Sequence, residues 1–253
     1  MTATAFESII AVFLVSLTAG LATGLGGLIA LVKKPGRRSL GLMMGYTAGV
    51  MLTLAFTGLI GEAWLLSGYL TTSIGFALGA LSMFAIDYFI PHIRFGKLEA
   101  NKTQSKLIRT GMLIAIGITI HNLPEGIAVG AGFMHLPKFG LFIALAIALH
   151  NIPEGIAIAL PLCKGGTCKK DSIKIALLSG LAEPVGALLA ALFLSGNSSL
   201  IPLSLAFAAG VMTFITLDEL IPTAREHGHE HYTALGIIAG TISVFVLSGL
   251  FGI

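Results

Sequence analysis

Two nearly identical hexapeptides contain the residues of this chain that are best suited to binding an ion. The first is HNLPEG at 121–126, and the second is HNIPEG at 150–155, 29 residues further on. Each supplies an imidazole, an amide and a carboxylate beside a proline, inside an apolar stretch long enough to cross a bilayer. Polar and ionisable groups at membrane depth are costly, and they usually mark a pathway or a binding site. The repetition predicts one site assembled from two helices.

Helical spacing places the ionisable groups of each hexapeptide on one face. His121 and Glu125 are four residues apart, as are His150 and Glu154, and such positions are neighbours on a helix surface. Glu183 is a third carboxylate in an apolar segment, again beside a proline. Imidazole nitrogen with carboxylate oxygen suits Zn²⁺ and also Fe²⁺, Mn²⁺ or Co²⁺. Three carboxylates and two histidines could hold two such ions with bridging oxygens.

A purely structural interpretation of the motif is the alternative. A single buried histidine is often an ordinary core residue, and a single Pro-Glu-Gly can simply break a helix. The duplicated motif with a third carboxylate favours an ion site over this interpretation. Pro124 and Pro153 cannot donate a backbone hydrogen bond and clash with the carbonyl four residues earlier. Each proline therefore predicts a freed carbonyl and a kink beside the ligands.

The composition indicates a polytopic membrane protein. The chain has 253 residues, of which 55% are hydrophobic and 11% are charged, and its mean hydropathy is +0.94. These few charges could not cover the exterior of a soluble domain of this size. Cys163 and Cys168 lie in one loop and do not suggest a disulfide framework. No Gly-rich phosphate loop is present, so ATP binding is not expected, and neither is a nucleic-acid partner.

Eight membrane spans account for almost the whole chain as one domain, 1–253. They are predicted at approximately 6–32, 40–62, 68–90, 108–133, 138–162, 172–195, 199–222 and 232–253. Fourteen of the 15 lysines and arginines fall in or beside the odd-numbered loops. The positive-inside rule makes those loops cytoplasmic and places both termini outside the cell membrane. The predicted fold is therefore all-α, with eight transmembrane helices and extracytoplasmic termini.

Internal similarity adds an inverted repeat to this fold. AGVM at 48–51 recurs at 209–212, and the same register aligns 59–60 with 220–221, both Leu-Ile. The hexapeptides relate the fourth span to the fifth. Because each related pair runs in opposite directions, the spans form a 3+2+3 arrangement of the kind found in secondary transporters. Shared packing motifs remain the alternative explanation.

At these residues the chain resembles the ZIP (Zrt-, Irt-like protein) family of divalent-metal transporters, in its bacterial-type branch. The resemblance includes GLAE at 180–183 and LDELIP at 217–222. It implies a binuclear site between spans four, five and six, with Glu125 and Glu154 bridging two ions. The implied ligands of the first ion are these two carboxylates with His121 and, further, His150. The implied residues of the second site are Asn122, Asn151 and Glu183. Met51 is either a soft ligand or a packing residue.

The function that follows is import of a divalent transition metal by alternating access. Zn²⁺ is expected first, with Fe²⁺, Mn²⁺, Co²⁺ and Cd²⁺ as further substrates. A channel shares every ligand and stays open as an alternative. An intramembrane metalloenzyme is disfavoured because the His-Glu-x-x-His pattern is absent, so no enzymatic activity is expected. A homodimer is left open.

Several polar residues outside the motifs are secondary candidates. Asp87 and His92 are candidates for the cytoplasmic exit of the metal pathway, and Glu62 is a candidate for its outer entrance. The histidines of the segment 226–231 either relay metal or contact only water; they are His227, His229 and His231.

Overall fold

The structure is a computed structural model that describes residues 3–32, 35–89 and 104–253, with the side chains of 3–6 and of His227 left out. Within these ranges the chain is almost entirely helical and contains no strand. The predicted all-α class is confirmed. His92 lies outside the described residues.

Ten α-helices follow one another along the described chain. They are α1 (Ala3–Val32), α2 (Arg37–Thr53), α3 (Gly61–Phe89), α4 (Gln104–His135), α5 (Pro137–Lys164), α6 (Lys169–Gly180), α7 (Ala182–Leu194), α8 (Ile201–Ile215), α9 (Ile221–His227) and α10 (Glu230–Phe251). Two π-helical segments, Leu54–Ile60 and Thr216–Leu220, and one 3₁₀ turn, Ser198–Leu200, complete the described helical structure.

Within the described ranges, seven helical stretches are long and apolar enough to cross a membrane. One of them, 37–89, has 53 residues, which would be about 80 Å of continuous helix against an apolar membrane core of about 30 Å. This stretch is interrupted at Gly68, where φ is +75° and ψ is 179°. A residue with a side chain rarely adopts this conformation, whereas glycine adopts it without a steric penalty. The described parts of the two predicted spans 40–62 and 68–90 therefore belong to one helical run, 37–89, with a break at Gly68.

The surface of these helices is apolar, as a bilayer requires. Leu65, Phe89 and Leu250 are each at least 78% exposed. In a water-soluble protein, such side chains would form a large contiguous apolar surface. The fold therefore fits a polytopic membrane protein whose helices present hydrocarbon to lipid.

Glycines bring pairs of helices into backbone contact, and the contacts recur in two copies. A methyl group added at Gly49 of α2 would overlap the carbonyl oxygen of Ile237 in α10. A methyl group at Gly210 of α8 would likewise overlap the carbonyl oxygen of Phe76 in α3. The separation in sequence between the two glycines equals that between the two carbonyls. Small residues permit such close packing of membrane helices.

The same correspondence extends to the rest of the helices. In the register that aligns Gly49 with Gly210, the π-helical segment Thr216–Leu220 corresponds to residues 55–59. Those residues lie inside the other π-helical segment, Leu54–Ile60. Helix α1 packs mainly on α5, while α7 packs mainly on α4. Helices α2 with α10, and α3 with α8, form the other extensive contacts. The hexapeptide-bearing helices α4 and α5 also pack on each other, so that both motifs lie in the interior.

Candidate metal centre

All seven predicted site residues are buried. None is more than 4% exposed, and they are His121, Asn122, Glu125, His150, Asn151, Glu154 and Glu183. Pro124 and Pro153 lie inside the helices α4 and α5. Glu183 lies in the first turn of α7, directly after the turn that ends α6.

Three of these residues form a compact cluster of ligand atoms. Glu125, His150 and Glu154 each offer one atom, and these atoms all lie within 4.8 Å of one another. His150 Nε2 lies 3.2 Å from Glu125 Oε1. Zinc ligands lie about 2 Å from the ion, so small side-chain movements would bring all three atoms onto one ion. The cluster joins a carboxylate of α4 to an imidazole and a carboxylate of α5.

The two asparagines are held by helix backbones. Asn122 Nδ2 donates to the carbonyl of Ser179, and Asn151 Nδ2 donates to the carbonyl of Ala19, each at 3.0 Å. Asn151 Nδ2 also donates to Glu183 Oε2 at 2.8 Å. These hydrogen bonds hold the NH₂ group of each carboxamide in place. The amide oxygen, which carries the lone pairs, is the atom that can bind a cation.

His121 is not a member of this cluster. Its Nε2 is 3.5 Å from Glu219 Oε2, and both residues line a small cavity with Asp87. Glu219 lies in the π-helical segment Thr216–Leu220, and π-helical turns often occur at functional sites. Glu219 belongs to the LDELIP motif but was not predicted as a site residue, although a glutamate within a predicted span indicates a functional role.

Six buried atoms of the predicted ligands have no hydrogen-bond partner. They are Asn122 Oδ1, Glu125 Oε2, His150 Nδ1, Asn151 Oδ1, Glu154 Oε2 and Glu183 Oε1. Buried polar atoms without partners are rare in proteins because leaving them unsatisfied costs free energy. All six can present a lone pair, and a divalent cation would satisfy them together. The oxygen and nitrogen donors fit Zn²⁺ and the neighbouring transition metals.

Comparison with known proteins identifies the family. Residues 96–248, which include all seven predicted ligands, match the family model described as ZIP zinc transporter. The zinc transporter ZupT of Akkermansia muciniphila is 39% identical over 95% of this chain and 97% of its own length. The ZupT proteins of Corynebacterium efficiens and Oceanobacillus iheyensis are 39% and 40% identical, over 93% and 92% of this chain and 95% of each relative.

The chain belongs to the ZIP family. The resemblance noted from its motifs is thus confirmed over nearly the full length of its relatives. In this ZIP protein, Met51 is fully buried, and its Sδ lies 3.7 Å from Thr216 Oγ1. This contact links α2 to the π-helical segment that contains Glu219.

Three of the remaining candidates of this ZIP chain have described side chains: Glu62, His229 and His231. Glu62 Oε1 is 2.7 Å from His135 Nε2, and both side chains are about a quarter exposed. The pairing of Glu62 with His135 was not predicted. The exposed rings of His229 and His231 have centroids 5.5 Å apart. His92 and the side chain of His227 are not described.

Proposed function

We propose that this protein imports divalent transition-metal ions across the cell membrane, with Zn²⁺ as the main substrate. One observation supports this most directly: Glu125, His150 and Glu154 converge inside an apolar protein and have unpartnered acceptor atoms. The relatives in the ZIP family are named as zinc transporters. Fe²⁺, Mn²⁺, Co²⁺ and Cd²⁺ are further substrates, since the same nitrogen and oxygen ligands accept several divalent ions.

The substrate site is proposed to hold two ions. The first ion binds Glu125, His150 and Glu154, and His121 completes its ligands from one helical turn before Glu125. The second ion binds the free oxygens of Asn122, Asn151 and Glu183, with Glu125 and Glu154 bridging. The unpartnered oxygens support this division because both bridging carboxylates, and each residue assigned to the second ion, retain a free oxygen. The cations would offset the buried carboxylate charge, which is otherwise costly at membrane depth.

The proposed topology has eight spans with both termini outside. The break at Gly68 supports dividing the long run 37–89 into two crossings. The recurring glycine contacts and π-helical segments support an inverted 3+2+3 repeat within a single domain, 1–253. In secondary transporters, the substrate site lies between such repeats.

Alternating access is proposed to move one group of helices past another. Helices α1, α4, α5 and α7 surround the ligands, whereas α2, α3, α8 and α10 pack chiefly on one another. A shift of the first group would carry the ions with all of their ligands. Because ligands and ions move together, no charged group need be exposed to lipid during the shift.

Uptake of radioactive zinc into proteoliposomes tests the proposal. Glu125→Gln and Glu154→Gln keep the size of each side chain but remove its negative charge. Each should lower the initial uptake rate at least about tenfold, as loss of a metal-site residue typically does. Asp171→Asn is the matched control because Asp171 is exposed on α6, paired with Lys174. Wild-type rates in both glutamate variants, or flux that does not saturate with zinc, would contradict a carrier with this site.

A further inference from the structure

One residue outside the predicted ligand set also has a buried polar atom without a hydrogen-bond partner. Seven buried side-chain nitrogen or oxygen atoms in the described part of the chain lack a hydrogen-bond partner. Six of them belong to the predicted ligands, and the seventh is Oγ1 of Thr23 on α1. Thr23 is completely buried. Buried hydroxyls without a hydrogen-bond partner are rare in proteins, and a bound ion would satisfy this one.

Other buried threonines of this protein satisfy their hydroxyls locally. Thr213 Oγ1 and Thr216 Oγ1 donate to the carbonyls four residues earlier, at 2.8 Å and 2.7 Å, the usual arrangement within a helix. The corresponding carbonyl for Thr23 is that of Ala19, which accepts a hydrogen bond from Asn151 Nδ2 at 3.0 Å instead. The Thr23 hydroxyl therefore retains both its donor and its lone pairs.

The recurring contacts relate Thr23 to Glu183. A methyl group at Gly155 of α5 would overlap the Thr23 carbonyl oxygen, and a methyl group at Gly126 of α4 would overlap the Glu183 carbonyl oxygen. These glycines end the two hexapeptides. Thr23 thus occupies on α1, against the second hexapeptide, the position that Glu183 occupies on α7 against the first.

The asparagine contacts repeat the same correspondence. Asn151 donates to the carbonyl four residues before Thr23, and Asn122 donates to the carbonyl of Ser179, four residues before Glu183. Glu183 additionally accepts from Asn151. By the same relation we expect Asn122 to be the counterpart of Asn151 on the side of Thr23, and its Oδ1 is also unpartnered.

We propose that Thr23 is a further oxygen ligand of the metal centre, on the side of Asn122. Its hydroxyl contacts the divalent ion, or a water bound to that ion, as the counterpart of the Glu183 carboxylate. A neutral hydroxyl adds an oxygen ligand without adding a fourth buried negative charge, which would be costly in this environment. This inference rests on the proposed function, since it assigns one more residue to the same substrate site.

Zinc binding by the purified protein tests the inference. Thr23→Val removes the hydroxyl at nearly constant volume, and Thr23→Ser retains it. The valine variant should bind Zn²⁺ about tenfold more weakly by titration calorimetry, and zinc should raise its Tm by less than it raises that of the wild type. The serine variant should restore both values. Without zinc, the Tm of the valine variant should not fall, because the lost hydroxyl has no hydrogen bond to break.

Thr72→Val is the matched control. Thr72 is also buried, but its Oγ1 donates to the Gly68 carbonyl at 2.9 Å. Its replacement should lower the Tm of the zinc-free protein and leave the zinc affinity unchanged. Thr23→Ala, which also removes the hydroxyl, should weaken zinc binding as Thr23→Val does.

Wild-type zinc affinity in both Thr23→Val and Thr23→Ala would overturn the inference. A lower zinc-free Tm with an unchanged zinc-induced shift would do the same, because it would assign Thr23 a structural role. Glu154→Gln separates this failure from failure of the proposed function. If the wild type binds zinc and Glu154→Gln does not, only the role of Thr23 is in question. If neither variant differs from the wild type, the site itself is wrong.

Discussion

Replacing Gly126 with alanine should disrupt the metal centre without removing any ligand. Gly126 directly follows Glu125 on α4, and its Cα faces the backbone of α7 at Glu183. The added methyl group would overlap the carbonyl oxygen of Glu183. Because that atom belongs to the backbone of a helix, it cannot rotate away as the end of a side chain could. The helices α4 and α7 must therefore move apart.

The size of this movement follows from ordinary atomic contacts. Non-bonded heavy atoms approach to about 3.5 Å, so the overlap at Gly126 requires a displacement of roughly 1.5 Å. Metal sites hold their ligand distances to within about 0.2 Å. Glu183 would consequently be displaced relative to Glu125 by several times this tolerance. Overpacking of this kind also costs about 1–3 kcal/mol of stability.

Thermal unfolding and zinc titration in detergent measure both effects. Gly126→Ala should lower the Tm and weaken zinc binding by about tenfold or more. Gly249→Ala is the control, because nothing lies within 4 Å of a methyl group at that position of α10. Alanine favours a helix over glycine by up to about 1 kcal/mol, so this control should have an equal or higher Tm and unchanged zinc affinity. Wild-type Tm and zinc affinity in Gly126→Ala would refute the packing argument.

Two further predictions concern the ligands and the topology. His150→Ala should weaken zinc binding more than His121→Ala, measured by calorimetry, because His150 belongs to the compact cluster whereas His121 lies beside Glu219; the opposite order would contradict the proposed first site. In a Cys163→Ser background, the exposed thiol of Cys168 should react with a membrane-impermeant maleimide only after cells are permeabilised. A cysteine introduced at Ile253 in a protein without native cysteines should react in intact cells, and the reverse pattern would invalidate the proposed orientation.

Helix content and the general position of the site could be predicted from local information. Apolar stretches of about 20 residues predict membrane helices because backbone polar groups must be satisfied within the segment. The predicted spans 108–133 and 138–162 fall within α4 and α5. The division at Gly68 was harder to foresee in detail, because hydropathy does not reveal that a single positive φ interrupts an otherwise continuous helical run.

Local information did not predict which side chains lie next to each ligand of the site. His121 and His150 occupy equivalent positions in two nearly identical motifs, yet His150 lies in the compact cluster and His121 lies beside Glu219. Glu219 and Thr23 are remote in sequence from both hexapeptides. Their positions depend on how α1 and the π-helical segment Thr216–Leu220 cross α4 and α5.

The chemistry of this protein could be predicted from residue types alone: two copies of an imidazole, an amide and a carboxylate at helical spacing, in segments apolar enough for a membrane. Those properties depend only on residue types and on spacing along one chain segment. Which of these groups meet depends on the packing of the helices, because contacts such as Gly126 with Glu183 and Gly155 with Thr23 set the helix crossings. A crossing is determined by the shapes of two surfaces together, and neither segment specifies it alone.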